Sequence, residues 1–200
     1  MAFVPVGTSI AATDAISEPF VALRGADRIG NATPIDEPVA PPPAPTLPAS
    51  PAGPEVSKEM QAVLDLVNDE RAARGLGALR FSGNLNEAAL EHTVDQAAAG
   101  DIYHVDPSNG VDPGDRIART GYQFSVWGEN VAAGYPSAYS VMVDWMNSPG
   151  HCRNILNPAF TEIGIGYVTG GARYNQFWTQ VFGRSHAEPR PPGVYNPAWC

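Results

Sequence analysis

Trp127-Gly128-Glu129-Asn130 and, further along, Ser148-Pro149-Gly150-His151 carry the side chains around which the chain reads as organised. The first stretch supplies a carboxylate at what reads as the end of a loop. The second supplies an imidazole just past a helix. His104, in Tyr103-His104-Val105-Asp106-Pro107, adds another imidazole. Two imidazoles and a carboxylate are the makings of a shallow metal or acid/base site.

Around these residues the hydrophobic period is helical. Ser137 caps a helix in which Ala138, Val141, Met142 and Trp145 keep one stripe, and Asn147 to Gly150 stop it. A short turn runs from Cys152 to Leu156. Upstream, Asp112-Pro113-x-Asp115 gives an N-cap, a Pro at the first helical position and an acid at the third, so a short helix runs through Ile117 and Ala118 to Gly121. Asn84-x-x-Glu87 reads as a capping box for a longer helix with Leu85, Ala88, Ala89, His92 and Gln96 on one stripe. On that apolar face His92 reads as a hydrogen-bonded packing residue rather than a ligand. The earliest helix is capped by Ser57, buries Met60, Val63, Leu64 and Val67, and ends at Gly75 and Gly77. Asp69, Glu70, Arg71 and Arg74 are expected on its wet face, and Leu79-Arg80-Phe81 as an extended link.

Downstream the period changes. Ile163-Gly164-Ile165-Gly166-Tyr167 alternates, with the glycines leaving one face bare. Phe177, Thr179 and Val181 alternate with Trp178, Gln180 and Phe182. These are two antiparallel strands of a hairpin, the second partly apolar on both faces. The strand glycines predict that a helix or another backbone packs close there. Helices around a small antiparallel sheet make an α+β fold.

The flanks read differently. Residues 1–56 carry no period and include the Pro-rich run Pro38 to Pro54, an extended spacer without a core and expected to be disordered. Residues 57–183 form the domain, and 184–200 a C-terminal Pro-rich tail. Asn31-Ala32-Thr33 is a glycosylation sequon. Met1 to Ala15 is mildly apolar but lacks the basic start of a signal peptide. The net charge of −9 argues against nucleic acid and against docking on an anionic membrane. No apolar run approaches the roughly 20 residues of a membrane span. Cys152 and Cys200 are the two cysteines. A cysteine on a Pro-rich tail has reason to be there if it is tied down, so one disulfide and an oxidising compartment are expected.

Four motifs in order resemble the CAP superfamily, the domain of cysteine-rich secretory, antigen 5 and pathogenesis-related proteins, in its bacterial branch. They are Trp127 to Ala132, Trp145-Met146-Asn147-Ser148-Pro149-Gly150-His151 through Asn154-Ile155-Leu156, Phe160 to Tyr167, and Phe177 to Gly183. The resemblance implies an α-β-α sandwich with a surface cleft of two His and two acids that holds a divalent metal, often zinc. His104 matches the first His, Glu129 the first acid and His151 the second His. Ser148 stands where the second acid belongs, so that set is incomplete.

The resemblance also implies an extracellular or cell-surface protein. The reading preferred is a binding or interaction module whose cleft holds a divalent metal or small apolar ligand and which engages a lipid, a sterol or a cell-wall component. A metal-assisted hydrolase in the same cleft is the alternative. A Ser148-His151-Glu129 triad is disfavoured, because Met146 stands where a nucleophile elbow needs Gly. Of the aromatics Tyr122, Phe124, Trp127, Tyr135 and Tyr139, most are expected in the core rather than in a groove. Glu162 is expected to be solvated or to cap a strand.

Overall fold

A computed structural model describes residues 56–171 and 173–200. The expected spacer, the sequon and the segment before residue 56 lie outside the described residues. The elements are α1 (Lys58–Ala72), β1 (Arg80–Phe81), α2 (Gly83–Ala99), α3 (Pro113–Arg119), β2 (Phe124–Ala133), α4 (Ala138–Asn147), α5 (Pro149–Ile155), β3 (Glu162–Thr169) and β4 (Gln176–Ser185).

Helix starts follow the capping residues in three cases. Ser57 Oγ accepts from Met60 N at 3.2 Å, and Ser137 and Asp112 each close a reciprocal capping box. The start of α2 differs from the expectation. It begins at Gly83 after Ser82, and Asn84 turns its side-chain amide to the Thr120 carbonyl instead. The expected turn after Gly150 is the helix α5. Pro149 opens it, because Pro at the first helical position costs no hydrogen bond.

The sheet has four strands in the order β1-β3-β4-β2. The expected hairpin is β3 and β4, paired antiparallel with Gly166 opposite Thr179. Two strands were not expected as such. The link at Arg80–Phe81 pairs parallel with Glu162–Ile163, which makes the sheet mixed rather than purely antiparallel. The aromatic run and the supposed loop after it are the ten-residue strand β2, antiparallel to β4.

Each face of the sheet has its own core, which makes the α-β-α sandwich. On one face Trp178 and Phe182 of β4, with Ile163 and Ile165 of β3, meet the buried stripes of α1 and α4 and Cys152 and Ile155 of α5. On the other, Val181 meets Leu85, Ala88 and Ala89 of α2 and Ile117 of α3. Burying each large side chain contributes about 1.5–3 kcal/mol. Both faces of β4 are therefore apolar, as expected.

The glycines of β3 let α2 lie on the sheet. A Cβ on Gly164 would stand 2.0 Å from the Leu85 carbonyl carbon, and one on Gly166 would stand 2.4 Å from the Ala89 oxygen. Side-chain-free strand positions thus fix the spacing between the layers.

Arg71 departs from its expected place on the wet face of α1. It is only 2 % exposed. Its guanidinium donates to the carbonyls of Gly77 (2.8 Å), Ile155 (2.8 Å), Asn157 (2.9 Å) and Phe160 (3.3 Å). It thereby closes the C-terminal end of α5 and the loop after it. Burial lowers its pKa to about 10.

The segment after Gly183 is attached to the domain. Strand β4 continues to Ser185, and Tyr195 and Trp199 pack against the larger core. Cys152 and Cys200 form the expected disulfide, with Cα atoms 5.8 Å apart. It joins α5 to the chain end.

Candidate functional site

The site is assembled by α2, the loop after it, α3 and β2. In α2, His92 and Gln96 are one turn apart and face the sheet, both buried. Gly100 then takes the left-handed conformation at φ 69° and turns the chain back. This places the Tyr103 carbonyl 2.7 Å from His92 Nε2 and 2.8 Å from Gln96 Nε2. His92 Nε2 also lies 2.8 Å from Gln96 Nε2, so its role follows the ring tautomer, a donor to the carbonyl or an acceptor from the amide. Burial holds the His92 imidazole below its usual pKa, against the opposing pull of Glu129.

The next residue, His104, reaches Glu129. His104 Nδ1 lies 2.8 Å from Glu129 Oε1. His92 Nε2 lies 3.8 Å from the same oxygen. Arg116, from α3, takes the other oxygen, with Nη2 2.9 Å from Oε2. Arg116 also donates to the carbonyls of His104 (2.9 Å) and Val111 (3.2 Å), so it holds the loop as well as the carboxylate. The Glu129 and Arg116 side chains are 1 % and 4 % exposed, whereas that of His104 is 46 % exposed. A buried ion pair of this kind is costly to break from one side, by about 3–5 kcal/mol.

Because Glu129 accepts through Oε1, the His104 proton sits on Nδ1. The ring's Nε2 is then left with its lone pair on the exposed side. A half-exposed imidazole oriented by a buried carboxylate can accept a hydrogen bond or a proton from a ligand.

His151 is placed differently. Consecutive strand residues point to opposite faces. The Glu129 carboxylate faces α2 and α3, and Asn130 faces α5. Asn130 Nδ2 donates to the His151 carbonyl (3.2 Å) and to Gln180 Oε1 (2.9 Å). Asn154 Nδ2 donates to the Glu129 carbonyl (3.0 Å) and Asn130 Oδ1 (2.8 Å). His151 thus rides on the opposite layer, and the asparagines of both motifs bolt α5 to β2. The structure brings His104 and Glu129 together as expected. Among the described residues, no three His, Cys, Asp or Glu are arranged to hold a metal ion.

The donor set at Glu129 does not fit the divalent metal that the resemblance implied. His104 Nδ1, the imidazole nitrogen hydrogen-bonded to the carboxylate, turns its proton to Oε1, and the partner of Oε2 is a guanidinium. A metal needs lone pairs at those positions.

Ser148 lies in the turn joining α4 to α5. Its amide donates to the Asp144 and Trp145 carbonyls, its carbonyl accepts from Cys152 N, and its hydroxyl makes no capping bond. With both Glu129 oxygens held by His104 and Arg116, the Ser148-His151-Glu129 arrangement lacks its acid. The aromatics divide. Tyr122 is buried, Phe124 and Tyr135 pack at the edges of the cores, and Trp127 and Tyr139 are exposed. Glu162 opens β3, accepts from the Tyr122 hydroxyl and pairs with Arg80 at 3.6 Å.

Arg116 is the site residue that the sequence reading missed. It is followed by Ile117 in a short capped helix and reads there as an ordinary surface cation. Beside the site, Glu91, His92, Asp95, Asp106, Asn109, Val111, Arg116 and Arg119 line a small open cleft. Only Val111 among them is apolar.

Comparisons with known proteins agree with this architecture. The chain is 38% identical over 127 residues to the uncharacterized protein YkwD of Bacillus subtilis, a match covering 64% of this chain and 48% of that one. A crystal structure of an extracellular protein containing a SCP domain from Bacillus anthracis is similar at 31% identity and a TM-score of 0.57, over 68% of this chain and 45% of that one. An outer surface protein from Borrelia burgdorferi shares the fold at a TM-score of 0.60 and 21% identity, over 66% of this chain and 96% of that one. The match thus spans less than half the length of the two Bacillus proteins. The family model described as the cysteine-rich secretory protein family, CAP, matches residues 64–182. With that model covering more than half of its length, the chain belongs to the CAP family.

Proposed function

We propose that this chain is an exported binding module whose cleft, which shares Arg116 with the neighbouring His104–Glu129–Arg116 group, recognises a hydrophilic cell-wall component. The observation that carries the reading is the lining of the cleft. Glu91, Asp95, Asp106, Asn109 and Arg119 stand round it, beside buried His92 and Arg116. Acids, an amide and a guanidinium match hydroxyl, amide and amine groups, which wall glycans and their peptides carry. A sterol or acyl chain calls for an apolar lining. The half-exposed His104, with an outward lone pair, supplies a hydrogen-bond acceptor fixed by Glu129. The extracellular description of the similar Bacillus anthracis protein supports export, as does the disulfide.

The test is a titration of soluble peptidoglycan fragments into the full chain, followed by calorimetry. Saturable binding is expected, weakened about tenfold by His104→Ala, which is one hydrogen bond's worth. Saturable uptake of phospholipid–sterol vesicles with no response to the fragments would overturn the reading.

A further inference from the structure

We infer that Arg116 is the built-in cation of the cleft: its guanidinium occupies the carboxylate that a divalent ion would use, so that the His104–Glu129 pair works without metal. The nearest partner of each Glu129 oxygen is a hydrogen-bond donor, His104 Nδ1 on Oε1 and Arg116 Nη2 on Oε2. His104 Nδ1 stands at 2.8 Å and His92 Nε2 at 3.8 Å from Oε1, and Arg116 Nη2 at 2.9 Å from Oε2. A zinc ion on Glu129 would sit about 2.0–2.2 Å from a carboxylate oxygen and needs unprotonated nitrogens to complete its shell. Here His104 Nδ1 and the Arg116 guanidinium point protons at the two oxygens.

The guanidinium cannot easily step aside. Nη2 is shared with the His104 carbonyl at 2.9 Å and Nη1 is held by Val111 at 3.2 Å. Arginine also cannot give up its charge to a metal by deprotonation, as a histidine or cysteine does. The same contacts position His104. Arg116 grips the His104 main chain while its partner Glu129 grips the His104 ring, so one ion pair fixes both ends of the residue. The ring nitrogen left over, Nε2, is a fixed acceptor beside the cleft for a neutral donor such as a hydroxyl.

This inference concerns the cleft of the proposed function, but its test uses no wall fragment, so the two fail separately. Zinc is titrated by calorimetry at neutral pH into the full-length wild type, Arg116→Gln, and Arg116→Gln with His104→Ala. The expected result is no His104-dependent zinc site in the wild type. Arg116→Gln is expected to gain one saturable site, at least tenfold tighter than any wild-type uptake, and the double variant to lose it.

The inference is overturned if the wild type takes up one equivalent that His104→Ala abolishes. It is equally overturned if folded Arg116→Gln binds zinc no better than the wild type. Should Arg116→Gln fail to fold, the ring-nitrogen NMR spectrum of the wild type decides. A protonated His104 Nδ1 unmoved by one equivalent of zinc upholds the assignment, and a coordination shift at His104 overturns it.

Discussion

Replacing Gly164 by alanine puts a methyl carbon where the backbone of α2 already is. The added carbon would stand 2.0 Å from the Leu85 carbonyl carbon, 2.2 Å from Asn86 N and 2.2 Å from the Leu85 oxygen. Carbon atoms rest about 3.5–4.0 Å apart at their optimum. Relief therefore needs α2 and β3 to separate by about 1.5 Å, since neither side offers a rotatable group. Overpacking commonly costs about 1–3 kcal/mol through shifted side chains. With only backbone to shift, about 3 kcal/mol or more is expected, together with loosening of the Ile165 N to Asn86 Oδ1 bond of 3.3 Å. The assay is urea unfolding followed by tryptophan fluorescence, for which the fully buried Trp145 and Trp178 are reporters. Gly77→Ala is the control, because nothing lies within 4 Å of its added carbon. It is expected within about 0.5 kcal/mol of the wild type. A Gly164→Ala protein within about 1 kcal/mol of the wild type would refute the reasoning.

Other outcomes follow from named contacts. Arg71→Met leaves the carbonyls of Gly77, Ile155, Asn157 and Phe160 without the guanidinium donor. The Asn157 oxygen keeps Phe160 N at 3.4 Å, so three acceptors are orphaned; at about 1 kcal/mol or more for each, a loss near 3 kcal/mol in urea unfolding is expected, and a loss below about 1 kcal/mol would contradict it. His92 is held below its ordinary pKa of 6.5 in the fold, beside Glu129, His104 and Arg116. The unfolded chain therefore binds the proton more readily, and stability is full above about pH 6.5 and declines as pH falls below it. His92→Gln should flatten that part of the stability profile, and superimposable profiles for the two proteins would argue against it. Cys152→Ser with Cys200→Ser opens a loop of sequence separation 48, for which about 4 kcal/mol of chain entropy is the upper expectation. Equal denaturation midpoints for the two proteins would show that the bridge does not stabilise the fold.

How much was legible depended on whether a residue acted locally. Ser57, Asp112 and Ser137 cap their own helices, so their signal is complete within four residues. The bare face of Gly164 and Gly166 announced the close approach of α2, because absent side chains are themselves the signal. Strand β2 was hidden. Its register shifts between Phe124 and Val126, which breaks the alternation, and Gly128-Glu129-Asn130 has little strand preference of its own. Pairing with β4 makes it a strand. Arg71 lies four residues after Val67, on the buried stripe of α1, and only its residue type suggested water. Pro149-Gly150 was read as a stop, although Pro opens helices as readily as it ends them. Within the site, His104 and Glu129 were legible through the motifs. Arg116 was not, because its meeting with Glu129 depends on how α3 packs beside β2. His151 followed its motif onto α5, which holds the opposite layer.

Strand β2 is the last in its sheet, and outermost strands invite intruders. Here two of its carbonyls are occupied by side chains of the neighbouring helices. The Glu129 oxygen accepts from Asn154 Nδ2 at 3.0 Å and the Val131 oxygen from Trp145 Nε1 at 3.5 Å. At the opposite rim, β1 offers only two residues. Side chains of α4 and α5 thus cover two of the acceptors a foreign strand would need on β2, which blunts that rim against sheet-to-sheet polymerisation.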